Sequence, residues 1–200
     1  MSMANPFGPE VSHFREMAAA SGTDKTTNHR YEMLYPLLFE SFRDLPFHLV
    51  EVGVYGGASL RLWEQYFPRA RIWGLDNDPV CATKASDRST VIIGDQGDRA
   101  TIEALLEAAD PVSIWIDDGS HTWKHQVDNF RWVFPKLPAG ALYAIEDLEF
   151  STETNRAGGG DITGAAMVAG EVHKLLVGRK QSITFNFYAT TNLAVFHKLG

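Results

Sequence analysis

Two acidic clusters, Ile116-Asp117-Asp118-Gly119-Ser120-His121 and Ile145-Glu146-Asp147-Leu148, each close an apolar, strand-like run. In a parallel α/β sheet the carboxyl ends of the strands share one rim, and ligands bind there. Asp118, Glu146 and Asp147 are therefore expected to meet in space, with His121 three residues beyond the first of them. Carboxylates crowded into one pocket repel one another and resist ionisation unless a positive charge lies between them. A hard divalent cation held by oxygen ligands, Mg²⁺ or Mn²⁺, is the simplest occupant, with the histidine alongside as a base. His121 and His125 would share one helix face and also admit zinc, although a zinc protease would carry Glu where Thr122 stands. Taken singly, Asp118 and His121 suit helix-capping positions, and Glu146 and Asp147 suit a solvated loop. Their joint placement on one rim is what points to an active site.

A second constellation lies upstream. Glu51-Val52-Gly53-Val54-Tyr55-Gly56-Gly57 falls where a first strand turns into a helix, a place where glycine lets backbone approach a ligand. A phosphate-binding loop would need lysine before its hydroxyl residue, and Gly57-Ala58-Ser59 has none. A dinucleotide fingerprint would need glycine where Tyr55 stands. An acid before a Gly-x-x-Gly-Gly turn instead resembles an S-adenosylmethionine loop, making Glu51, Gly53, Tyr55 and Ser59 candidate cofactor contacts. Asp76, at the end of the next strand, suits two ribose hydroxyls; a solvated turn acid is the plain alternative. Asp95-Gln96, ending the third strand, could meet the adenine, although Asp95 or Asp98 could equally cap the next helix. Asp117 is expected to point toward the cofactor or to orient its loop rather than to bind metal.

These positions depend on the elements that carry them. Helices are expected over Pro9–Ala20, Asn28–Arg43, Ser59–Phe67, Thr101–Ala109, His121–Phe134 and Ala165–Leu176. Strands are expected over Phe47–Val54, Arg71–Leu75, Val91–Ile93, Val112–Ile116 and Ala141–Ile145. Two closing runs, Ser182–Tyr188 and Leu193–Leu199, could pair as an antiparallel hairpin through Thr190-Thr191-Asn192. The alternation predicts a doubly wound, mostly parallel α/β sheet in one domain, residues 1–200. Trp123 is a candidate pocket wall, and Gly158–Asp161 a candidate lid over the acceptor, with a disordered connection as the alternative.

Composition excludes several classes. At 200 residues and 44% hydrophobic, the chain can build one sizeable core. A net charge of −7 argues against a nucleic-acid surface. No apolar stretch reaches membrane-spanning length, and Met1–Glu10 lacks the features of a signal peptide. The single cysteine, Cys81, excludes an internal disulfide and fits a reducing cytoplasm. The expected partner is a small molecule, with neither nucleic acid nor membrane; a homo-oligomer is compatible.

Together these residues resemble the metal-dependent, S-adenosylmethionine-dependent O-methyltransferases of the macrolide-sugar and rhamnosyl type, related to the cephalosporin hydroxylase-like group. The resemblance runs from Gly22-Thr23-Asp24-Lys25 and His29-Arg30-Tyr31 through the glycine turn, Gly94-Asp95-Gln96 and Ile116–His121 to Ile145–Leu148. It implies a Rossmann-like class I methyltransferase with a C-terminal antiparallel hairpin and N-terminal helices, residues 1–45, over the cofactor site. It implies Mg²⁺ on Asp118, Glu146 and Asp147, His121 as general base, and Lys25 and Tyr31 helping to close the cofactor pocket. The implied reaction moves a methyl group from S-adenosylmethionine to a hydroxyl, most simply on a sugar of a natural product. The macrolide-sugar enzymes carry a further N-terminal domain without a counterpart here, and Glu149-Phe150-Ser151-Thr152-Glu153 differs from their aromatic-rich segment, which leaves the acceptor open. The rival readings are a metal-independent methyltransferase, a nicotinamide-dependent dehydrogenase, against which Tyr55 argues, and a cofactor-binding module without catalysis.

Overall fold

Strand β1 (His48–Val52) is buried along nearly its whole length, the mark of a strand covered on both faces. It lies at the centre of a seven-stranded sheet in the order β3-β2-β1-β4-β5-β7-β6. The computed structural model describes residues 8–177, 185–190 and 192–199. Strands β2 (Arg71–Asp76), β3 (Ser89–Ile93), β4 (Val112–Asp117) and β5 (Leu142–Ile145) run parallel with β1. Strands β6 (Phe185–Ala189) and β7 (Ala194–Lys198) pair with each other, and β7 with β5, in antiparallel fashion. The closing hairpin therefore forms as the sequence predicts; residues 182–184 and Thr191 of those runs lie outside the described residues.

Helices cover both faces. Helices α1 (Gly8–Ser21), α2 (Tyr35–Phe39) and α3 (Ala58–Tyr66) pack an aromatic-rich layer of Phe14, Tyr35, Phe39 and Trp63 against one face. Helices α4 (Arg99–Ala108), α5 (Trp123–Val133) and α6 (Gly164–Leu176) cover the other with Ile102, Leu105, Phe130 and Met167. Chain direction across the sheet reverses between β1 and β4, and at such a switch point the loops splay apart into a crevice. No helix among the described residues is long and apolar enough to cross a membrane.

Two helices differ from expectation. The helix predicted over 28–43 is broken into a 3-10 turn (Tyr31–Met33), α2 and a second 3-10 turn (Glu40–Phe42). Arg30 sits at a left-handed φ of 58°, and Pro36, which lacks an N–H, belongs in a first turn and so restarts the helix. The helix predicted from His121 starts only at Trp123, because His121 has a left-handed φ of 52°. His121 and His125 thus do not share a helix face, which removes the geometric basis for a zinc pair.

Candidate active site

The crevice opens into a cavity of about 710 Å³ lined by loops at the carboxyl ends of the parallel strands. Of the residues singled out in the sequence, Gly53, Tyr55, Ser59, Asp76, Asp95, Gln96, Asp118, His121, Glu146 and Asp147 line it. Lys25, Tyr31, Glu51 and Asp117 do not; all four are buried behind the lining.

At the glycine-turn end, Gly53 leaves β1 with φ 97°, and a Cβ there would lie 2.1 Å from the Asp118 carbonyl oxygen. Only glycine fits so close an approach. The amides of Val54 and Tyr55 both donate to Asp76 Oδ2 at 2.9 Å, and the Asp78 amide donates to Oδ1 at 2.9 Å. Burial alone would raise the Asp76 pKa, but the Asp78, Tyr55 and Val54 amides hold it below the usual carboxylate range. Asp76, expected as a ribose acceptor, is thus also the brace of the turn, and Oδ1 keeps a lone pair for a hydroxyl. Sequence reasoning missed that bracing role.

Gln96 is likewise engaged. Its Oε1 accepts the Ser120 amide at 2.6 Å, tying the loop after β3 to the loop after β4. Asp95 accepts the Gly97 amide at 2.8 Å, while the cap of α4 is Asp98, which takes the Ala100 and Thr101 amides. Asp117, expected to point toward the cofactor or to orient its loop, is buried behind the lining, 3.4 Å from Nε2 of the cavity-lining Gln96. The other Asp117 oxygen faces the layer of α5 and β5. There it lies 3.4 Å from the Tyr143 hydroxyl and 3.5 Å from Asn129 Nδ2, and burial pushes its pKa up to about 6.

The acidic end has a cation of its own. Lys25 Nζ, 1% exposed, lies 2.6 Å from Asp118 Oδ2, 2.7 Å from Glu146 Oε2 and 3.3 Å from Glu51 Oε1. Burial would lower the Lys25 pKa, but Asp118, Glu146 and Glu51 hold it well above its ordinary value. Burial raises Glu51 to about 7 against the pull of Lys25, and raises Glu146 well above the carboxylate range. Glu146 Oε1 also accepts the buried Tyr35 hydroxyl at 2.5 Å. Lys25 is therefore a counter-ion inside the acidic end, buried behind the cavity lining.

Asp147 faces a different set of partners. Its Oδ1 accepts the Tyr31 hydroxyl at 2.6 Å and lies 3.1 Å from His29 Nδ1; its Oδ2 lies 3.4 Å from His121 Nε2. The His121 ring stacks on Phe150 at 5.2 Å, and its Nδ1 is buried without a hydrogen-bond partner. His125 is instead hydrogen-bonded to Ser120 Oγ at 2.8 Å, and burial lowers its pKa against Asp95. Trp123, expected as a pocket wall, donates its indole N–H to Phe150 O at 3.1 Å and so pins the 148–152 turn beside His121.

Donor atoms of Asp118, His121 and Asp147 lie within 4.8 Å of one another, as do those of Glu51, Asp118 and Glu146 and those of His29, Asp147 and Glu149. The expected ligands are thus shared between two adjoining groups that meet at Asp118. With only Lys25 among them, burial and mutual repulsion hold Glu51 and Glu146 toward their neutral forms, and a further positive charge would favour the ionised ones. Clustered oxygen donors that an added positive charge would ionise fit a hard divalent ion. His29 and Tyr35 were missed as site residues. Their signal was a histidine two residues before Tyr31, and a tyrosine one helical turn beyond it.

No protein-family model matches the chain. It is 38% identical over 154 residues to the 8-demethyl-8-alpha-L-rhamnosyl tetracenomycin-C 2'-O-methyltransferase of Streptomyces olivaceus, covering 72% of this chain and 40% of that one. It is 35% identical over 127 residues to the demethylmacrocin O-methyltransferase of Streptomyces fradiae, covering 60% and 32%. The structure of MycE, a methyltransferase of the mycinamycin biosynthetic pathway solved with Mg, SAH and mycinamycin VI, superposes with a TM-score of 0.82 at 28% identity. That match covers 96% of this chain and 55% of MycE. The chain is related to the macrolide-sugar and rhamnosyl O-methyltransferases. Its sheet is the class I, Rossmann-like methyltransferase fold with a C-terminal antiparallel hairpin. The chain spans less than half the length of the curated relatives it matches.

Proposed function

We propose that the chain transfers a methyl group from S-adenosylmethionine to a hydroxyl of a small molecule, a sugar of a natural product, with Mg²⁺ at the acidic end. The observation that carries this reading is one cavity with a glycine turn at one end and Asp118, His121, Glu146 and Asp147 at the other. Asp118, Glu146 and Asp147 would hold the ion. When bound, cofactor and ion would supply the methyl group and the charge that eases loss of the hydroxyl proton.

The chain's own residues do the rest. His121, which lines the cavity, takes the acceptor proton on its imidazole, while Asp147 beside Nε2 orients the ring. Phe150 and the Trp123–Phe150 hydrogen bond hold that ring from its other face. Gly53 and the Asp76-braced turn seat the cofactor with its ribose near Asp76 Oδ1. Methyl transfer then needs chiefly alignment of the hydroxyl oxygen with the methyl carbon.

The test is methyl transfer from labelled S-adenosylmethionine to a panel of rhamnosylated and macrolide-sugar acceptors, with Mg²⁺ and after chelation. Product that requires Mg²⁺ supports the reading. Full turnover after exhaustive chelation would replace it with a metal-independent methyltransferase, and cofactor binding without turnover on any acceptor would favour a binding module.

A further inference from the structure

Tyr31 is fully buried, and its hydroxyl makes two hydrogen bonds to one residue. It donates to Asp147 Oδ1 at 2.6 Å and accepts the Asp147 backbone N–H at 3.1 Å. A phenol has one proton to give and lone pairs to receive, so both functions go to Asp147. Asp147 needs such a brace. Past the end of β5 it sits at φ 57°, ψ 42°, a left-handed conformation that an aspartate tolerates when its side chain is hydrogen-bonded in place. The phenol pinches the residue between its backbone and its carboxylate, which fixes the side-chain rotamer as well as the backbone. With Oδ1 tethered, Oδ2 is left beside His121 Nε2 at 3.4 Å.

We infer that Tyr31 is a positioning residue for Asp147, presenting its carboxylate already oriented to a divalent cation and so setting the affinity of the acidic end. This rests on the metal reading proposed above and supplies its means of preorganisation. A carboxylate free to rotate loses that freedom on ligation, whereas one already hydrogen-bonded in place does not. Tyr31 lies behind the cavity lining and its hydroxyl bonds Asp147, so its effect falls on the cation and not on the cofactor.

The test is Tyr31→Phe in the full chain, titrated with Mn²⁺ alone by calorimetry and by the electron paramagnetic resonance signal of free Mn²⁺. The ring keeps its stack on His29 at 5.2 Å and its edge contact with Tyr35 at 5.8 Å, so packing is retained. Mn²⁺ affinity is expected to fall about 10–100-fold, the usual cost of losing a partner that orients a metal ligand. S-adenosylhomocysteine affinity is expected to stay unchanged, and the rise in melting temperature on adding Mn²⁺ to appear only at correspondingly higher concentration. Unchanged Mn²⁺ affinity in a folded Tyr31→Phe variant overturns the inference while leaving the metal reading intact. Parallel loss of Mn²⁺ and S-adenosylhomocysteine binding, or failure to fold, overturns it too, since the hydroxyl would then be structural. A wild-type chain that binds no Mn²⁺ removes the metal reading itself, and this inference with it.

Discussion

The backbone at Gly53 and the carbonyl of Asp118 are packed so closely that a Cβ on the first would lie 2.1 Å from the oxygen of the second. The glycine turn and the acidic loop are therefore one continuous surface, although 65 residues separate them in the chain. Gly53→Ala would place a methyl group against backbone that cannot swing aside, at a φ of 97° that L residues rarely adopt. The expected loss of stability is at least ~2 kcal/mol, from left-handed strain and the clash together. S-adenosylhomocysteine and Mn²⁺ affinities should fall together. Calorimetry on Gly53→Ala that shows one affinity intact would separate the two ends.

His121 and His125 make opposite predictions. His121→Ala should lower turnover about 10²–10⁴-fold, the usual range for a lost general base, with cofactor affinity unchanged. His125→Ala should leave turnover largely in place, because its imidazole is hydrogen-bonded to Ser120 Oγ and burial lowers its pKa. Turnover at saturating S-adenosylmethionine and Mg²⁺ decides between them. A collapse in His125→Ala with normal His121→Ala would move the base.

Lys25 tests the charge balance. Lys25→Met removes the buried cation from Glu51, Asp118 and Glu146, and breaking such a cluster from one side costs about 3–5 kcal/mol. Without Lys25 the buried acids titrate higher still in the folded state. A folded-state pKa raised above the unfolded one favours the fold at low pH and is lost as pH rises. The deficit of Lys25→Met should therefore widen from pH 5 to pH 8 in urea melts. A pH-independent deficit would show that packing of the lysine stem dominates.

Asp76 gives the opposite sign. Its folded pKa is depressed, so its contribution is present above the unfolded value, about 3.9, and is lost as pH falls through the folded one. Asp76→Asn should be less stable than wild type at pH 7, and the two should converge under acid. It should also weaken S-adenosylhomocysteine binding by about 1.5–3 kcal/mol if the carboxylate takes a ribose hydroxyl. Unchanged affinity in the folded variant would confine Asp76 to bracing the turn.

The parallel sheet and its rim were legible because β1, β2, β4 and β5 each end an apolar run at glycine or acid, and a parallel sheet puts those ends together. Composition at Asp118, His121, Glu146 and Asp147 sufficed to place them on one cavity. Direction was harder to read. Asp117 and Asp118 look alike in sequence, yet one is buried behind the lining and the other lines the cavity. The breaks at Arg30 and His121 were hidden because left-handed backbone at a residue with a Cβ leaves no composition signal. Lys25 as a counter-ion and Tyr31 as a brace were missed for another reason. Their partners Asp118, Glu146 and Asp147 stand 93 to 121 residues away, beyond the reach of any local pattern.

That separation orders events in time. During synthesis Lys25 and Tyr31 emerge long before Asp118, Glu146 and Asp147 exist, and their contacts must wait for β1, β4 and β5 to align. Contacts that close such long loops form late, since the entropy of bringing the ends together comes before any reward. A nascent or partly unfolded chain thus carries acids and a lysine that have not found one another. Tight cation uptake would then begin only once β1, β4 and β5 are aligned, making it a signal that the centre of the sheet has formed.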